Sequence, residues 1–192
     1  MGLGLGDVVR RAVLAVSVTV GALVATAAQG TTGRSGLSSL TRAGREPLLI
    51  PAAMRAALAR AGASPRGHAL AQRSGKTFVE FPRAGNGNCY GIRKRDAARF
   101  AFTCWSDFPS PAHPILDQSV FGAKAGEPIH VIEAQGFAAD GVAAVEVEDA
   151  TGTAVARTPV VANVYSITAL PRTGVRLVAL DDEDRALFAV PR

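Results

Sequence analysis

Val142-Ala143-Ala144-Val145-Glu146-Val147-Glu148 is the stretch that decides the fold. Ala143, Val145 and Val147 share one face while Glu146 and Glu148 point the other way, the two-residue alternation of a strand with one side buried. Segments of the same kind follow and precede it: Ile129 to Ala134, Thr153 to Val161, Val164 to Leu170, Val175 to Leu180 and Ala186 to Val190. Asp140-Gly141, Thr151-Gly152, Thr173-Gly174 and the acidic run Asp181 to Asp184 separate them with turn chemistry. Short strands at this spacing predict a mainly β chain, built as a small antiparallel β-sandwich with an apolar inner layer.

Further upstream, Lys76 to Phe81 forms another strand that stops at Pro82, and Gly85-Asn86-Gly87-Asn88 is a turn. Cys89 to Ile92 and Phe100 to Trp105 add two more strands, joined by the wet, charged segment Arg93 to Arg99. Such a hairpin brings Cys89 and Cys104 across from one another. They are the only two cysteines, so in an oxidising compartment the expected state is a disulfide, with two buried free thiols as the alternative. Two thiolates with three dispersed histidines make a poor zinc site, and Cys-x-x-Cys spacing is missing.

Leu48 to Ala61, with Pro51 near its start, predicts one short amphipathic helix outside the sandwich. Met54 and Leu58 should meet the folded body while Arg55 and Arg60 face water. Asp107 to Pro114 carries three prolines, which remove backbone donors and stiffen the connection between the two β regions. A single domain over 47–192 is expected, because each side of that connection alone has a small core. Residues 29–46, rich in glycine, serine, threonine and arginine, predict a flexible linker.

The chain begins with a different kind of segment. Arg10 and Arg11 precede the charge-free run Ala12 to Ala28, which ends in the small residues Ala25-Thr26-Ala27. A basic start, an apolar centre and a small-residue site are the three parts of a secretory signal. As a helix the run would rise about 26 Å, close to the roughly 30 Å of a bilayer core, so without cleavage it would serve as an anchor. Residues 1–28 are therefore expected to be a signal peptide or membrane anchor that engages the export machinery or the membrane. Both versions put the remainder outside the cytoplasm, secreted or anchored on the extracytoplasmic side. A buried Val/Ala helix is the alternative.

Of the 192 residues, 48% are hydrophobic, enough for a real core and too many for an obligately disordered chain. Residues 29–99 carry a formal charge of +10 and residues 100–192 one of −6. Opposite halves can attract each other, or form separate surfaces for an anionic wall polymer and a cationic partner. Arg93-Lys94-Arg95 lacks a recognition helix, zinc spacing or paired aromatic platforms, so no nucleic acid is expected as a partner.

Catalysis and cofactors find little support. There is no Gly-x-Ser-x-Gly elbow and no Cys/His constellation, and His68, His113 and His130 are scattered. Asp181, Asp182, Glu183 and Asp184 lack the alternating ligand positions of a calcium loop and read as a solvated turn. No catalytic, cofactor-binding or metal-binding residue is assigned. Tyr90, Trp105, Phe108 and Tyr165 are the candidate binding rim, where aromatics supply contact area and Tyr and Trp keep a polar handle. Trp105 and Tyr165, in strand-like settings, are expected in the core slightly more than on the rim.

Gly136-Phe137-Ala138-Ala139-Asp140-Gly141-Val142-Ala143-Ala144-Val145-Glu146-Val147, followed by Asn163-Val164-Tyr165, resembles the immunoglobulin-like or related β-sandwich domains of uncharacterised exported actinobacterial-type proteins. The likeness covers roughly Lys76 to Val190, and the hairpin cysteines fit it. It implies a small sandwich at the cell envelope and carries over no catalytic residue. The expected function is a noncatalytic extracytoplasmic interaction domain that binds an envelope glycan or surface protein. The alternatives are an exported hydrolase and a structural envelope protein without a specific ligand.

Overall fold

The computed structural model describes residues 36–38, 47–85, 87–95, 97–122, 130–168, 170 and 176–191. The expected leader and most of the expected linker lie outside them. The described chain is mainly β: three antiparallel sheets and one short helix.

The first sheet is a meander of five strands, β1 (Pro47–Leu48), β2 (Gly67–Arg73), β3 (Lys76–Pro82), β4 (Asn88–Lys94) and β5 (Phe102–Trp105), paired in chain order. Between β1 and β2 comes α1 (Ala52–Arg60), which Pro51 starts and which ends before Gly62 at φ 71°. It lies outside the sheets but inserts Met54 and Leu58 beneath Val79 and Phe81. The register of the first sheet pairs Cys89 with Cys104 directly across β4 and β5, and the two form a disulfide inside that same cluster. Loop closure over a separation of 15 residues stabilises the fold by about 3 kcal/mol.

The middle sheet contains β6 (Ile115–Asp117), β7 (Val120–Gly122), β8 (His130–Ala138) and β11 (Val164–Thr168), with β8 at its centre. The outer sheet is ordered β10 (Ala154–Pro159), β9 (Ala144–Glu148), β12 (Arg176–Leu180), β13 (Ala186–Pro191). Val145 and Val147 point inward to Leu177, Ala179, Tyr165 and Ile167, completing the core between middle and outer sheets. On the opposite face Glu146 pairs with Arg157 at 3.2 Å and Glu148 with Arg176 at 2.5 Å. This is the alternation that the valine and glutamate pattern predicts.

Stacking continues on the far side of the middle sheet. Phe137, Leu116 and Val164 face the first sheet and pack against Phe78 and Tyr90, while Ala134, Ala138, Tyr165 and Ile167 face the outer sheet. Order through the molecule is therefore helix, first sheet, middle sheet, outer sheet. β8 accommodates two neighbours by putting small residues on one side and Glu133, Gln135 and Phe137 on the other. A Cβ on Gly136 would lie 2.1 Å from the Leu116 carbonyl oxygen and 2.7 Å from the Tyr165 hydroxyl. That space lets the phenol reach Asp117 Oδ1 at 3.1 Å.

Within the expected linker, Gly36–Ser38 is docked onto this body. Leu37 is buried beside Phe108, Phe137 and Val164. Asp140 fixes it from both sides, its amide donating to the Gly36 carbonyl at 2.7 Å and its carboxylate accepting from the Ser38 amide at 2.9 Å.

Candidate functional site

Three of the four expected rim residues belong to the interior. Tyr90 and Tyr165 have no exposed surface and Phe108 is 4% exposed. For Tyr90 and Phe108 this corrects the rim expectation, while Tyr165 takes the core place its strand setting favoured; Tyr90 and Tyr165 stand on strand faces covered by a second sheet, and the rings of Phe108 and Tyr90 meet edge to face with centroids 5.1 Å apart. An aromatic in a two-residue alternation suggests an open face only when one layer covers the sheet.

Trp105 is the rim residue that stays half-buried, at the end of β5. Its ring lies 6.2 Å from that of His113 in the proline-rich connection, and His113 lies 6.3 Å from Phe188 on β13. The three half-buried rings meet edge to face and run from the first sheet to the outer sheet. His113 is clamped: Asp107 Oδ2 lies 2.6 Å from its Nδ1, and its amide donates to Ser110 Oγ at 3.1 Å. Ser110 and His113 also exchange backbone hydrogen bonds, so the prolines sit around a closed turn. At the other side Gly87, at φ 83°, gives the β3–β4 turn room to approach, since a Cβ there would lie 2.2 Å from the Trp105 carbonyl oxygen. Asp107, His113 and Phe188 are the members that sequence reasoning missed. The signals were the histidine among prolines and the alternation of β13, but only the stacking of sheets joins residues 75 positions apart.

The other polar groups of the described residues are mostly tied into turns and strand pairs, while His68 Nδ1, the Tyr90 hydroxyl and Ser166 Oγ are buried without a hydrogen-bond partner among them. His68, Glu80 and Tyr90 are successive cross-strand partners on the first sheet, and Asn88 Nδ2 donates to Glu80 Oε1 at 2.6 Å. Burial, then the Glu80 charge, raises the Tyr90 phenol above its ordinary value. His130 lies on β8, and its side chain is outside the described residues. In the acidic run, Asp181 turns inward and accepts from the Glu183 and Arg185 amides, both at 2.9 Å, which lowers its pKa; Asp182, Glu183 and Asp184 face water. Asp149 is lowered likewise by Thr151 and Thr153 in the β9–β10 turn.

Among the described residues no group of three or more His, Cys, Asp or Glu side chains is placed to hold a metal ion. No described helix is long and apolar enough to cross a membrane. Comparison with protein-family models, curated proteins and solved structures gives no match.

Proposed function

We propose that this chain is a noncatalytic interaction protein of the extracytoplasmic space that holds an envelope glycan against the Trp105–His113–Phe188 strip. The observation that carries the reading is the row of three half-buried rings with the Asp107 carboxylate beside it. A sugar ring offers an apolar C–H face and hydroxyl edges; an indole covers the first, and a carboxylate and an imidazole serve the second. The leader-like start and the Cys89–Cys104 disulfide support the location, since such bonds persist where the surroundings are oxidising.

The test is retention of the full chain on immobilised envelope saccharides, compared with Trp105→Ala. Loss of a central aromatic contact should weaken binding by more than about tenfold. Equal retention of both proteins would remove the strip from the account. Sustained hydrolysis of the saccharide, abolished by one substitution, would instead make the protein a hydrolase. Protease protection in intact cells, with mass analysis of the mature N-terminus, tests the location; a protected chain that keeps Met1 and reduced cysteines would contradict it.

A further inference from the structure

At the end of the first sheet away from the disulfide, the turns after β2 and β4 lie together, with the Arg95 amide donating to the Gly75 carbonyl at 3.2 Å. Between them and the middle sheet opens a cleft of about 650 Å³ whose lining includes Ser74, Lys76, Lys94, Arg95, Glu133 and Thr168. Its innermost cation is Lys76, only 6% exposed. The ammonium bonds Glu133 Oε1 and, at 2.6 Å, Gln135 Oε1. An ammonium has three donors, and the acceptors among the described residues take two of them.

The cations are arranged against the interest of the sheet. Lys76 and Lys94 are direct cross-strand partners on the same face, and like charges placed so repel. Burial, and after it the Lys94 charge, push the Lys76 ammonium down to about 8. Arg95, exposed beside them, adds a third positive charge with a planar fork of donors. Among the described residues lining the cleft, Glu133 is the one carboxylate against three cations, an excess of two positive charges within that set.

We propose that this cleft is an anion site for a phosphoryl group of phosphate-monoester charge, bound by Lys76, Lys94 and Arg95 with the Ser74 and Thr168 hydroxyls beside them. A phosphate monoester carries about −1.5 to −2 charges near neutral pH and three acceptor oxygens, matching the positive excess of the described lining residues and the number of their cations. A carboxylate would supply half that charge. The site is separate from the aromatic strip: β4 begins at Asn88, the register partner of Trp105, and ends at Lys94, about 20 Å away at the rise of a strand.

The test is calorimetric titration of the full chain with inorganic phosphate, glycerol 3-phosphate and acetate in separate arms. Saturable binding of a phosphate, at least about tenfold tighter than acetate, is expected. Preference for glycerol 3-phosphate over inorganic phosphate assigns the site to an esterified group, and the reverse to the free ion. Lys76→Gln should abolish binding, and the exposed double variant Lys94→Gln/Arg95→Gln, which spares the interior, should weaken it by at least about tenfold. Trp105→Ala should leave it unchanged, so failure of the glycan reading and failure of this one are distinguishable. No saturation, acetate binding as tightly as phosphate, or wild-type affinity in the Lys94→Gln/Arg95→Gln variant would overturn the proposal.

Discussion

Lys76 and Tyr90 sit on the same face of the first sheet and respond to alkali in opposite directions. Lys76 is held near 8 when folded against 10.5 when free, so between those values the unfolded chain binds the additional proton and stability rises with pH. Tyr90 is raised when folded, so above its ordinary value of 10.0 the folded chain keeps the proton and stability falls. Chemical denaturation from pH 7 to 11 should show the rise flattened in Lys76→Met and the fall flattened in Tyr90→Phe. Unchanged slopes in both variants would contradict the burial assigned to these groups. Neither shift was legible in the sequence, where Lys76 merely opens a strand and Tyr90 looks like a rim aromatic. Both depend on a second sheet whose central strand, β8, lies more than 40 positions further along the chain.

At the scale of elements, the strands with β-branched and aromatic alternation were legible: β3, β4, β5 and β8 to β13 all fall within a few residues of their expected places. The helix was legible too, because Pro51 and Gly62 bracket its apolar face. β2 was not. Its sequence Gly-His-Ala-Leu-Ala-Gln-Arg has low strand propensity, and it forms because β3 supplies a ladder along it, interrupted by a bulge between Ala69 and Ala71. β1, β6 and β7 are only two or three residues long and leave no periodicity to detect. The helix and the disulfide brace the same cluster from different sides. Leu58→Ala should cost about 2–5 kcal/mol in denaturant unfolding, through lost burial and the cavity left behind. Removing the disulfide with Cys89→Ser/Cys104→Ser should cost about 3 kcal/mol. A loss below about 1 kcal/mol for Leu58→Ala would mean that α1 does not cap the sheet as described.

For the whole molecule, the middle sheet is the shared layer, and Phe137 joins it to the first sheet, its ring 5.6 Å from that of Phe78 and 5.1 Å from that of Tyr90. The pattern of one strand foretold a sandwich; that a third sheet stacks on it depends on both faces of β8 and β11 being covered, Ala134, Ala138, Tyr165 and Ile167 on one side and Phe137 and Val164 on the other. Phe137→Ala should destabilise by about 3–5 kcal/mol and lower both halves together, seen as one calorimetric transition. Two separated transitions in the unsubstituted chain would break that coupling.

The aromatic strip at the edge of this stack contains the one tryptophan of the chain, so tryptophan emission is a probe placed at the proposed glycan contact. The direct measurement is titration of the full chain with soluble oligosaccharides released from the envelope, following Trp105 fluorescence. A saturable shift that disappears in Phe188→Ala is the predicted result; emission unchanged throughout the titration would contradict the account.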